Sequence, residues 1–314
     1  MSGAGRLVHN LKMSHLRLIA AIDRHRQIVN AAQALGITQP AASRSLAEIE
    51  RMVGSALFDR HPRGMTATPA GEIFARRARH LLTGLTDLDR ELDELKGGLT
   101  GIVRVGAVTG PALACVVPAL ARLKAAAPRV EVTVEVEPSA RLLSALEHGG
   151  LDFLLARIPP GYAAAHLRIE PALREAVQCL VRATHPLAAR RALAMADLAP
   201  FPWVLQDRGA PIRQAVERSL AAEGLAPPAD VTTSASQMLA LALAAQTDAI
   251  CPMAHEVARL FASPGDGGAG VAALDLARPI ELPVCHLVSL SSRQLSPATE
   301  RLMTLIRSEI AAAG

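Results

Sequence analysis

Gln39, Ser43 and Arg44 stand close together in the run Thr38-Gln39-Pro40-Ala41-Ala42-Ser43-Arg44. Their chemistry is non-covalent. A carboxamide and a guanidinium have the reach to hydrogen-bond base edges in a major groove, and a short hydroxyl suits a phosphate oxygen. Arg63, in His61-Pro62-Arg63-Gly64, adds a cation at a turn from which a side chain can enter a neighbouring minor groove.

Two helices and a turn must hold these groups. Asn30 to Gly36 reads as a short support helix, with Asn30 as its cap and Gly36 supplying the left-handed residue that ends it. Thr38 then caps a second helix, Pro40 falls in its first turn where a missing N–H costs little, and Ala41, Ala42, Leu46, Ile49 and Met52 supply its packing face. A tight turn between two short helices presents the second to a groove. The alternative is an amphipathic hairpin with another task. Charge argues against it: residues 1–80 hold twelve Lys and Arg against five Asp and Glu, whereas residues 97–314 hold nineteen of each. The excess cation lies where phosphate would have to be met.

From Pro69 the pattern stays helical, with leucines at 81, 85, 88, 92, 95 and 99. That spacing is an a/d seam, so Leu81, Leu85, Leu88, Leu92 and Leu95 predict pairing with a second copy of the chain; packing on their own domain is the alternative. Gly97-Gly98 ends the helix.

Beyond the glycines, strand and helix patterns alternate, which predicts parallel α/β sheets in two lobes with a cleft between them. Ligands in such folds sit beyond strand ends, near helix N-termini. Thr109 and Gly110 follow the first strand, Ser139 opens a helix, and Arg157 follows the third strand. Gln206 and Asp207 follow the Trp203 strand, Ser236 opens a later helix, and Thr247 precedes the Ile250 strand. Each also has a plainer reading as a helix cap or a surface ion-pair member. Cys115, Cys179, Cys251 and Cys285 never form a CxxC pair and read as reduced, packed thiols; the ten scattered His show no HExxH, so neither metal nor cofactor is expected. No GxSxG elbow or Walker loop speaks for an enzyme. Every apolar run is broken by Arg, Asp, His or Pro, and the first residues lack an apolar leader core, so a cytoplasmic location without a membrane span is expected rather than an exported solute-binding protein.

The chain resembles the LysR-type transcriptional regulators. The resemblance rests on Ala31-Ala32, Thr38 to Ser43, Ile49-Glu50, Leu57-Phe58-Asp59-Arg60 and Thr68-Pro69-Ala70-Gly71. It continues through Arg104-Val105-Gly106, Pro128-Arg129-Val130, Leu146 to Asp152 and His185-Pro186-Leu187. Gln27-Ile28-Val29 and Ile49 depart from the usual pattern without disturbing it. Val105 to Pro111 and Phe201 to Leu205 look most like the subgroup named for regulation of a galactose-binding protein. The resemblance implies an α/β multidomain chain: a winged helix-turn-helix over 13–70, a coiled-coil linker helix over 71–98, and over 99–314 a two-lobed effector domain similar to type 2 periplasmic binding proteins. Lobe I would take about 101–167 and 275–314, and lobe II about 168–274. It further implies binding of double-stranded DNA, a sugar or an organic or aromatic acid as effector, a homodimer expected to pair into a homotetramer, and contact with RNA polymerase.

Overall fold

The computed structural model describes residues 10–62, 64–97, 101–262 and 270–313. The first body holds α1 (Met13–His25), α2 (Ile28–Ala34), α3 (Gln39–Val53) and a hairpin of β1 (Phe58–His61) and β2 (Gly64–Ala67). Its core joins Leu18, Ile19 and Ile22 of α1 to Ala31 and Ala32 of α2, Leu46 and Ile49 of α3, and Phe58 and Met65 of the hairpin. Truncating one such side chain, Leu46→Ala for example, removes about 2–5 kcal/mol.

The long helix α4 (Pro69–Gly97) follows. Its start explains the Thr-Pro-Ala-Gly motif. Thr68 Oγ accepts the Gly71 N–H at 3.1 Å, as an N-cap does, and Pro69 takes the first helical position. Gly71 is required because a Cβ there would lie 1.8 Å from the Leu57 carbonyl oxygen. Leu57 in turn is tied to α3, its N–H donating to Glu50 Oε1 at 2.8 Å.

The remainder forms two lobes. In the first, β3 (Gly101–Ala107), β4 (Val130–Val136), β5 (Phe153–Ala156), β6 (Leu167–Leu173) and β13 (Cys285–Leu290) make one sheet in the order β4-β3-β5-β13-β6. The turn α5 (Thr109–Pro111) runs through a π-helical turn at Ala112–Val116 into α6 (Val117–Ala126); α7 (Ser139–Glu147) and the C-terminal α12 (Pro297–Ala313) complete the lobe. The second lobe is built on β7 (Ala176–Arg182), with α8 (Met195–Leu198), β8 (Trp203–Leu205), α9 (Pro211–Ala222), β9 (Val231–Thr233) and α10 (Gln237–Gln246) following. Then come β10 (Cys251–Ala254), α11 (His255–Phe261), β11 (Val271–Ala273) and β12 (Ile280–Glu281).

The expectation of parallel sheets holds for β3 with β4 and β5, and for β8 with β9. It fails elsewhere: β7 pairs antiparallel with β10, β11 and β12, and β13 runs antiparallel to β5 and β6. Alternation of strand and helix signals does not reveal strand direction once the chain crosses between lobes. The crossings also fall later than residues 167/168 and 274/275. β6 stays in the first sheet through Leu173, and β12 stays in the second through Glu281. Among the described residues no helix is long and apolar enough to cross a membrane.

Candidate DNA interface and effector cleft

The turn between α2 and α3 has the geometry that Gly36 predicts. Gly36, at φ +64°, lets its N–H reach the Gln33 carbonyl at 3.1 Å and the Ile37 N–H reach Ala32 at 3.0 Å, a Schellman closure. α3 then buries Ala42, Leu46 and Ile49 while Gln39, Pro40 and Arg44 stay exposed and Ser43 half-buried. Thr38 occupies the N-cap position, but its hydroxyl makes no capping bond and is exposed. Asn30 differs from expectation. The support helix begins at Ile28 with Gln27 as its cap residue, so Asn30 lies inside α2 and donates its side-chain amide to Gln27 Oε1 at 2.9 Å. The family variant Gln27-Ile28-Val29 thus takes over the cap position that Asn30 was expected to fill. The β1–β2 register sets His61 opposite Gly64, and the intervening Arg63 lies outside the described residues. Gly64 passes close to the end of α1: a Cβ would meet the Arg26 carbonyl oxygen at 2.4 Å, and that oxygen accepts the Met65 N–H at 2.7 Å. The hairpin is therefore anchored to the helical core.

Along α4, Leu81, Leu85 and Leu88 are 54%, 44% and 48% exposed within one chain. About half of each side chain is left open to a partner. The side chains of Leu92 and Leu95 lie outside the described residues, as does Leu99.

The expected effector residues divide into two groups and two outliers. Thr109, Gly110, Ser139 and Arg157 gather where the lobes join. Ser139 Oγ accepts the Arg157 N–H at 3.2 Å. Arg157 donates from Nε to the Pro283 carbonyl at 3.1 Å and from Nη2 to Glu175, on the crossing between β6 and β7. Both side chains are enclosed, Arg157 11% and Glu175 6% exposed. Burial pushes the Glu175 carboxyl above the ordinary carboxylate range, and the Arg157 guanidinium opposes that rise. Gly110 leaves room for this pair, since a Cβ there would strike Glu175 Oε1.

Gln206 and Ser236 belong to the second group. They line a pocket on the second lobe with Ser234, Gln237, Ile212 and Met253. Ser236 caps α10, accepting the Leu239 N–H at 3.3 Å. Asp207 and Thr247 fall outside this pocket. Asp207 is exposed in the turn before α9, and Thr247 closes the far end of α10 by donating to the Leu243 carbonyl at 2.8 Å. A position just before a strand suggests the cleft for Thr247, but it lies at the opposite end of the helix that Ser236 opens.

Residues 96–311 match the LysR substrate binding domain, and residues 13–72 match the bacterial regulatory helix-turn-helix proteins of the lysR family. The chain belongs to the LysR family of transcriptional regulators. Its similar relatives include the regulator GbpR of Rhizobium radiobacter, 40% identical over 80% of this chain and 83% of that protein. The regulator GalR of Pseudomonas putida is 33% identical over 91% of this chain and 70% of its own. These place this LysR regulator with the galactose-binding-protein-regulator-like subgroup. A full-length OxyR variant from Pseudomonas aeruginosa shares the fold with TM-score 0.64 at 19% identity, covering 96% of this chain and 95% of that one. CbnR complexed with its target DNA shares it with TM-score 0.60 at 18% identity, covering 95% and 100%.

For this LysR regulator the sequence did not point to Gln237 or Glu175. Gln237 donates its side-chain amide to Thr109 Oγ at 3.1 Å, joining the two lobes. Its signal was weak: a polar residue directly after a Ser cap is usually a solvated helix start. Glu175 gave only a charged residue between two strands. The cysteines are as expected. All four are free and buried, and burial pushes Cys115 up to about 11 and Cys179, Cys251 and Cys285 up to about 12, so none is a ready nucleophile.

Proposed function

We propose that this LysR regulator takes a neutral, hydroxyl-rich effector between its lobes, reads duplex DNA through Gln39 and Arg44, and dimerises through α4. One observation carries the effector class: Arg157, the cation expected to anchor an acid, is already held by Glu175 and the Pro283 carbonyl. A carboxylate would have to displace a buried partner, which is costly. What remains around the pocket is amide and hydroxyl, from Gln206, Ser234, Ser236 and Gln237, with Thr109 across from them. Such groups hydrogen-bond a sugar. Neither Trp203, fully buried in the second-lobe core, nor Tyr162, packed against the first-lobe core, lines that pocket; its apolar side is Ile212, Pro252 and Met253, and at about 20 Å³ it has to open for a sugar ring to enter.

On the DNA side, Ser43 and Thr38 hold phosphate, Arg63 enters the neighbouring minor groove, and Gln39 and Arg44 address bases, Pro40 fixing the helix start and Asn30 lying on the exposed side of α2. The exposed Leu81, Leu85 and Leu88 support pairing through α4, continued by Leu92 and Leu95. Two dimers make a tetramer in this reading, and RNA polymerase meets the cytoplasmic complex on DNA. An effector that favours one lobe arrangement shifts the population of dimer packings, and with it DNA bending.

A thermal-shift titration of the full-length protein tests the effector class, since a ligand of the native state alone raises its apparent stability. Hexoses and pentoses are expected to raise Tm in a concentration-dependent way. A rise with benzoate or aliphatic acids and none with sugars overturns the neutral reading.

A further inference from the structure

A second cavity, about 380 Å³, lies between the DNA-binding domain and the first lobe. That volume suits a small molecule and excludes a DNA duplex. Arg17 and Arg24 reach it from α1, Arg79 from α4, and Arg104, His148 and Arg293 from the first lobe. No acidic side chain lines it among the described residues. Two carboxylates paired with arginines of this cluster are already engaged: Asp23 with Arg79 and Arg26, and the almost wholly buried Asp152 with Arg293. The side chains of Arg17, Arg24 and Arg104 meet no partner among the described residues. Concentrating guanidinium groups around a concave space is unfavourable unless an anion shares it.

The walls are built to meet. Gly149, at φ +74°, has no Cβ, and one there would lie 2.3 Å from Thr83 Oγ on α4. Beside it His148 Nε2 stands 3.9 Å from Asp23 Oδ2 on α1. Arg17 and Arg24 are seven residues apart, two helical turns, and so share one face of α1.

We propose that this interdomain cavity is a second ligand site, for a multiply charged phosphate-type anion such as pyrophosphate or a phosphorylated metabolite. Arg17 and Arg24 take it from the DNA-binding side and Arg104 from the effector domain, in the forked geometry that guanidinium offers phosphate. The anion neutralises the cluster and fastens the two domains in this orientation, so it sets where the recognition helix points. This site is independent of the sugar reading of the interlobe pocket.

Isothermal titration of the full-length protein with sodium pyrophosphate, at ionic strength held constant with chloride, tests the site. Saturable binding of one pyrophosphate per protomer is expected. Arg24→Ala and Arg104→Ala should each weaken it at least tenfold, with Tm of the anion-free protein unchanged. Arg44→Ala, on the recognition helix, should leave it intact. A hexose monophosphate titrated alongside distinguishes the source: tighter binding of the ester marks a metabolite site, tighter pyrophosphate a site for the inorganic anion. No saturable binding at constant ionic strength overturns the proposal. So does loss of binding in Arg44→Ala with Arg104→Ala unaffected, which would place the anion on the DNA-reading surface.

Discussion

Gln237, the first residue of α10 in the second lobe, donates to Thr109 Oγ in the first lobe at 3.1 Å. The bond joins the start of α5 to the start of α10, the two helix openings that face one another across the cleft. Gln237 also lines the pocket proposed for the effector, where an effector hydroxyl would either replace this bond or extend it. Gln237→Ala removes the donor without burying an unmet group, because Thr109 is only half-buried. A neutral hydrogen bond contributes about 0.5–1.5 kcal/mol net, so effector affinity is expected to fall roughly two- to twelvefold. Calorimetric titration of the variant measures this, and an unchanged Kd would remove Gln237 from the site.

Gly71 gives an opposite sign to a familiar rule. In an exposed helix interior, Gly→Ala stabilises by about 1 kcal/mol. Here the new Cβ would lie 1.8 Å from the Leu57 carbonyl, which is itself held by the tie between Leu57 and Glu50. Gly71→Ala is expected to lower stability by about 1–3 kcal/mol as α4 is pushed from the hairpin. Thermal unfolding of the variant checks it; a higher Tm would mean that α4 can slide freely.

Glu170 links acidity to stability. Arg307 Nε and Nη2 meet its two carboxylate oxygens at 2.9 Å each, tying α12 to β6. This hydrogen bonding holds the Glu170 carboxyl below its ordinary value. A depressed carboxyl contributes stability above the unfolded-state value and loses it as pH falls through the ordinary carboxylate range towards the folded one. The wild type is therefore expected to lose more Tm on acidification than Glu170→Gln, in which nothing titrates at this position. Identical Tm–pH curves would show that the pair contributes nothing, as many exposed pairs do.

The helix-turn-helix was legible because its rules are local. Gly36 must be left-handed, Gly71 must lack a side chain, and Ala31, Ala32 and Ala42 must be small where helices cross, all within one short stretch. The cleft was legible only in part. Ser139 and Ser236 announce themselves as helix openers, yet whether Arg157 is available to a ligand depends on Glu175, which topology brings in from another crossing. Thr247 looks like Ser236 in sequence and lies at the other end of the same helix. Strand direction in the second lobe is likewise set by the return of the chain, which no local pattern records.

The exposed leucines of α4 predict the oligomer. Leu85→Asp with Leu88→Asp places two charges on an apolar seam that is 44% and 48% exposed in a single chain, so the folded monomer should tolerate them. A coiled-coil dimer should not. Light scattering is expected to show a shift to monomer with the far-ultraviolet helix signal of the domains retained. Dimers that persist would move the interface away from α4.

Substitutions at Gln39 and Arg63 are expected to separate reading from gripping. Gln39 is exposed on the first turn of α3 and ends in a carboxamide that can pair with an adenine edge. Gln39→Ala is expected to cost about 1–3 kcal/mol on the preferred site alone, lowering the ratio of specific to non-specific affinity and leaving the salt slope unchanged. Arg63→Ala should weaken binding on all sequences and make the slope of log K against log salt shallower by about 1. Fluorescence anisotropy on an operator and on a scrambled duplex, at several salt concentrations, resolves the two. Equal losses on both duplexes for Gln39→Ala would assign Gln39 to the phosphate backbone and leave Arg44 to read the bases.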